Sequence, residues 1–113
     1  MRGGSIAGLV LGLLSALGTV GATAAPAVQV VEVQDLGKVA ALSRERHVPL
    51  MLMFSAKDCS YCTVLEEDFL RPMLISGDYT DKVLIRKVEI DAGELRDFDG
   101  RRITSHELAA RYK

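Results

Sequence analysis

The chain has 113 residues, 49% of them hydrophobic and 26% charged, with 14 basic against 15 acidic side chains for a formal net charge of −1. A near-neutral balance of this kind excludes nucleic acid and acidic lipid as principal partners, since no long-range positive field would draw them in. The length allows one small domain, and two cysteines cannot make the spaced framework that staples small secreted folds.

The N-terminus reads as a secretory signal: a basic start at Met1-Arg2, an apolar stretch from Ile6 to Leu17, and then Gly21-Ala22-Thr23-Ala24-Ala25. Ala22-Thr23-Ala24 fits the small-x-small cleavage rule, so residues 1–24 are expected to be removed before Ala25. An uncleaved anchor from Ile6 to Ala25 is the rival reading, disfavoured by Gly8, Gly12, Gly18 and Gly21 and by the cleavage site itself. The expected product is residues 25–113, exported, periplasmic in a Gram-negative bacterium, and not stably inserted in a membrane after cleavage. Cleavage removes one base, Arg2, and no acid, which takes the net charge from −1 to −2.

In chain order, Val28 to Val33 is β-branched and predicts a first strand. Asp35 is placed to cap a helix over Leu36–Arg46, whose apolar positions recur at helical spacing, and Val48-Pro49 is expected to end it. Leu50 to Phe54 is apolar at every position and predicts a central strand covered on both faces. A helix then runs from the cysteines through Leu70, with Pro72 expected to break or kink it. Ser76-Gly77-Asp78 is turn chemistry, Lys82 to Asp91 a third strand, and Asp97-Phe98-Asp99-Gly100 another turn. Thr104-Ser105-His106-Glu107 is a capping box that opens a last helix towards Tyr112. The order β-α-β-α-β-α predicts an α/β fold built from crossover units on a shared sheet.

Cys59-Ser60-Tyr61-Cys62 follows directly on the apolar strand and opens the second helix. A dithiol at a helix N-terminus suits redox chemistry, because the unpaired N–H groups and the positive end of the dipole favour a thiolate at the first sulfur. Cys59 is the expected nucleophile and Cys62 the expected resolving thiol of a redox-active disulfide. A structural disulfide and a metal site are the rivals. Covalent haem would need His where Thr63 stands, and zinc would need further ligands where only His47 and His106, far apart in sequence, are on offer. Met51, Met53 and Met73 read as core filler in preference to copper ligands, so neither metal nor cofactor is expected.

Leu50 to Phe54 leading into Asp58-Cys59-Ser60-Tyr61-Cys62 resembles the thioredoxin-like superfamily. Lys87-Val88-Glu89-Ile90-Asp91, and Asp97-Phe98-Asp99-Gly100 followed by Glu107-Leu108-Ala109-Ala110-Arg111-Tyr112, resemble more narrowly the exported thioredoxin-related proteins that accompany sulfur-oxidation systems. The likeness covers residues 35–113. It implies a thiol:disulfide oxidoreductase acting on disulfide-bearing exported proteins and re-reduced by a membrane thiol electron donor. A copper-binding module on the same fold, or an inactive fragment, are the alternatives.

The sequence departs from that family at several points. The cis-proline segment, final hairpin and last helix have no counterpart before Lys113, and Pro26, Pro49 and Pro72 do not stand where the cis proline would, so the domain at 25–113 is expected to be incomplete at its C-terminus. The family's buried carboxylate, six residues before the first cysteine, is replaced by Met53. Asp58 replaces the usual Trp; its charge opposes the helix dipole at Cys59, Lys57 is the neighbour able to offset it, and the net sign at Cys59 is left open by the sequence. Glu66 and Glu67, like Asp58, read as solvated charges, and Tyr61 as an exposed contact for a docked partner.

Overall fold

The computed structural model describes residues 21–25 and 27–112, together with Gly4; the apolar stretch of the expected signal lies outside them. The longest helix among the described residues, α1 (Leu36–Arg46), begins where Asp35 takes an extended backbone and its carboxylate accepts the Lys38 amide at 3.0 Å. It ends at Arg46 as the sequence predicts, because His47, just ahead of Val48-Pro49, adopts a left-handed conformation (φ 55°) and donates its amide back into the last turn.

Strand β1 (Leu50–Ser55) runs parallel to β2 (Leu84–Glu89), in a register that sets Leu50 against Leu84 and Ser55 against Glu89. The predicted first strand is reduced to a bridge at Glu32: Val33 donates to the Lys87 carbonyl at 2.8 Å, and Lys87 donates to that of Val31 at 2.9 Å. This overturns one expectation. The strand with neighbours on both sides is β2, and β1 has an open edge among the described residues. Local sequence reports burial, and both strands are apolar enough to pass as central; which one is flanked depends on long-range pairing.

The helical rod after the cysteines begins as α2 (Ser60–Val64), widens into a π-helical turn (Leu65–Leu70) and finishes as α3 (Arg71–Ser76). Of the two outcomes expected at Pro72, a break or a kink, the break does not occur. Instead the Arg71 amide donates to the Glu66 carbonyl five residues back, and Pro72 falls in the first turn of α3, where its missing N–H and its ring are accommodated.

Beyond β2 the chain makes a hairpin that the sequence reading missed, β3 (Glu94–Arg96) against β4 (Arg102–Thr104). The turn between them is the predicted Asp97–Gly100 segment, with Gly100 at φ 85°. Thr104 then accepts the Glu107 amide at 3.0 Å and opens α4 (Ser105–Ala110), as the capping box predicts. Asp97, 3% exposed, accepts the Phe98 amide at 2.8 Å and pairs with Arg111 at 2.7 Å, which fastens α4 to the hairpin. The Phe54 ring stacks at a tilt against Tyr112, with centroids 5.7 Å apart.

Alternation along the strands sorts the core into two layers. Val88 faces Val33, Leu36, Leu95, Ile103 and Leu108 on the side of α1, α4 and the hairpin, with Leu52 and Phe54 packed against them. Met53 and Ile85 face Val30 and Leu70 on the side of the helical rod, with Cys62, Met73 and Leu74 behind. The result is a three-layer α/β/α arrangement that leaves the N-terminal end of the rod beside the end of β1.

Candidate active site

Strand β1 ends at Ser55, and three residues carry the chain to Cys59. Two features shape this loop: Lys57 donates its amide to the Asp91 carboxylate at 3.0 Å, and Asp58 takes a left-handed conformation at φ 56°. The first ties the loop to the chain leaving β2; the second reverses its direction so that Cys59 becomes the N-cap of the rod. The capping atom is sulfur, since Cys59 Sγ accepts the Cys62 amide at 3.2 Å. Thr63 returns its own amide to the Cys59 carbonyl at 3.2 Å.

Cys59 and Cys62 are joined as a disulfide with Cα atoms 5.2 Å apart. Their surroundings differ. Cys59 opens on a cleft of about 760 Å³, whereas Cys62 packs against the apolar layer of Met53, Ile85 and Leu70. Lys57 and Asp58 line the same cleft as Cys59, while Tyr61, 87% exposed, stands outside it. Met53, 5% exposed, fills the position where the resembled family would carry an acid.

The expected bystanders lie elsewhere. His47 is the C-cap of α1, and His106 lies in the first turn of α4, beside a small separate cavity with Ile90 and Ala109. Met53 and Met73 share the apolar layer, and Met51 is 40% exposed. Among the described residues no group of three or more His, Cys, Asp or Glu side chains is placed to hold a metal ion.

Two cleft residues escaped the sequence reading. Glu66 is not a solvated charge: its side chain is 16% exposed, and both its oxygens accept from Lys87 Nζ, at 3.1 and 2.9 Å. Lys87, 18% exposed, also has Glu89 at 3.7 Å. Burial pulls the Lys87 pKa down, but the hydrogen bond and charge of Glu66, helped by Glu89 and Glu32, outweigh it and leave the ammonium raised above its usual value. The signal was present in the spacing. Cys62, Glu66 and Leu70 lie four residues apart on one helix face, and that face is turned inward. On β2, Lys87 alternates with Val88 and so shares the face of Ile85.

The cleft therefore brings together a disulfide at a helix start, one sulfur opening to solvent and one to the core, and a half-buried ion pair. Such an arrangement can exchange disulfides with an incoming molecule at its open sulfur. Among the described residues no helix is long and apolar enough to cross a membrane. Neither the curated proteins nor the solved structures contain a match to the chain. A thioredoxin-like family model matches residues 33–105, which takes in β1, the disulfide, the rod and both strand pairs, and on that match the chain belongs to the thioredoxin-like family.

Proposed function

We propose that the protein is an exported thiol:disulfide oxidoreductase, with Cys59 as the nucleophile and Cys62 as the resolving thiol. The observation that carries this reading is the unequal setting of the two sulfurs, Cys59 on the cleft and Cys62 against the core. In the reduced protein the Cys59 thiolate attacks a partner disulfide, forming a mixed disulfide and expelling one partner thiolate. Cys62 then attacks Cys59 Sγ, the bond to the partner breaks, and the Cys59–Cys62 disulfide is restored. The partner disulfide gains two electrons and the dithiol loses two, so each turnover consumes one reduced protein, which a dithiol donor must regenerate. Disulfide-bearing exported proteins, with sulfur-oxidation components among them, are the partner class that the narrower resemblance suggests.

The test is insulin reduction coupled to a dithiol, with partner trapping by two variants. Cys62→Ser should accumulate mixed disulfides through Cys59, and Cys59→Ser should accumulate none. Equal trapping by both variants would point to undirected thiol reactivity. Stoichiometric copper retained by a reduced protein without reductase activity would replace this reading with a metal-delivery one.

A further inference from the structure

Resolution requires Cys62, a thiol packed against apolar side chains, to lose a proton, and the apolar layer offers no acceptor: its members are Met53, Val30, Ile85 and Leu70. The inward face of the rod supplies one. Glu66 is one turn beyond Cys62 on that face, which puts neighbouring side chains about 5–6 Å apart at their β-carbons. The same carboxylate lines the cleft on which Cys59 opens, so it borders both sulfurs' surroundings. We propose that Glu66, anchored by Lys87, is the proton acceptor of the resolving step, an assignment that rests on the exchange chemistry proposed above.

The other charges around the cleft are worse placed. Asp58 and Lys57 are exposed on the loop, and Glu67 is engaged by Arg71 at 2.6 Å on the wet side of the rod. On β2, Glu89 sits opposite Ser55 at the end of the strand that borders the cleft, but its side chain is 26% exposed against 16% for Glu66, and on the N-terminal segment the exposed Glu32 acts on Lys87 through charge alone. Glu66 is the least exposed carboxylate of the cleft and the one in line with Cys62. Lys87 is a positioning residue: by holding both oxygens it fixes the carboxylate and offsets the cost of its burial.

The step balances. Cys62 gives its proton to the Glu66 carboxylate, directly or through one water in the cleft, and the thiolate so formed attacks Cys59 Sγ. The partner's sulfur departs with the bonding electron pair and takes up a proton, for which the Glu66 carboxyl is the local source. The acid returns to its starting state at the end of the step.

The probe is a symmetrical aromatic disulfide, dithiobis(nitrobenzoate), mixed rapidly with the reduced protein. The first nitrobenzoate thiolate released reports attack by Cys59, and the second reports resolution by Cys62. Glu66→Gln should slow the second phase at least about tenfold more than the first near pH 7, with the loss recovered as hydroxide takes over at higher pH. Glu66→Asp should restore part of the rate. The double variant Glu66→Gln with Lys87→Met removes both charges together and should show the same slow second phase if the single variant folds poorly. A second phase equal to wild type at every pH overturns the assignment, as does equal slowing of both phases, which would mean only a loosened site. Failure of the wild-type protein to release a second equivalent would overturn the exchange reading itself.

Discussion

The two faces of the sheet are built on opposite terms. On the face of α1 and α4, Leu36 and Leu108 are fully buried and Val88 is 1% exposed, with Asp97 closing the edge through Arg111. On the face of the helical rod, the apolar layer is smaller and is interrupted by an ion pair and a sulfur. The same strand serves both, Val88 looking one way and Lys87 the other. One face is made to hold the domain together; the other sacrifices burial to keep charge and thiol beside a cleft. Chemistry sits where the packing pattern is broken.

The largest effect should come from breaking the apolar face. Leu108→Ala is expected to cost about 3–4 kcal/mol in a denaturant melt, the sum of lost transfer energy and residual cavity, while the folded fraction keeps wild-type dithiol exchange rates. A comparable loss from Met53→Ala would mean that the two faces share the burden equally and would erase the contrast.

Next comes the ion pair. Lys87→Met should cost about 2 kcal/mol, because it leaves the Glu66 carboxylate half-buried without its cation, and the Glu66→Gln, Lys87→Met double variant should recover much of that loss. Lys87 has its pKa raised above 10.5 in the fold, so its contribution is fully present below that value and is lost as pH rises through the folded pKa. Wild-type protein should therefore lose stability in strong alkali, and the double variant should lose less. An identical alkaline limb in both would show the pair to be energetically idle.

Asp97 tests the other end. The Arg111 hydrogen bond, opposed by burial and helped by the Phe98 amide, holds its carboxyl below the usual value of 3.8. A depressed acid contributes stability above its unfolded pKa and loses it as pH falls through the folded one. Asp97→Asn should cost about 1–2 kcal/mol near neutrality and flatten the acid limb of the melting temperature below pH 3.8. The smallest effect is expected from Glu67→Ala, which removes an exposed pair with Arg71 at 2.6 Å and should change stability by about 0.5 kcal/mol or less. A larger loss would show that the wet side of the rod carries structural weight.

What the sequence made legible follows a physical rule. Helix α1 and the start of α4 were readable because caps and periodicity are local, and Asp35 and Thr104 occupy the cap positions that their residue types favour. The cysteine pair at the start of the rod was readable for the same reason. The hairpin was not, because three-residue strands with only Leu95 and Ile103 buried are too short to show alternation. Centrality of β2 was hidden because strand neighbours are chosen at long range. Glu66 was hidden by residue type: a carboxylate is solvated by default, and only its place in line with Cys62 and Leu70 argues otherwise.

The π-helical turn between α2 and α3 has a mechanical consequence. A turn of this kind holds one residue more than α winding would use, so the rod behaves as two shafts joined by a coupling whose ends need not share one phase. Cys62 on the first shaft and Met73 on the second can both face the sheet without either dictating the other's angle. The dithiol end of the rod and the end that anchors it are thus each seated on the sheet by their own side chains, Cys62 in α2 and Met73 in α3.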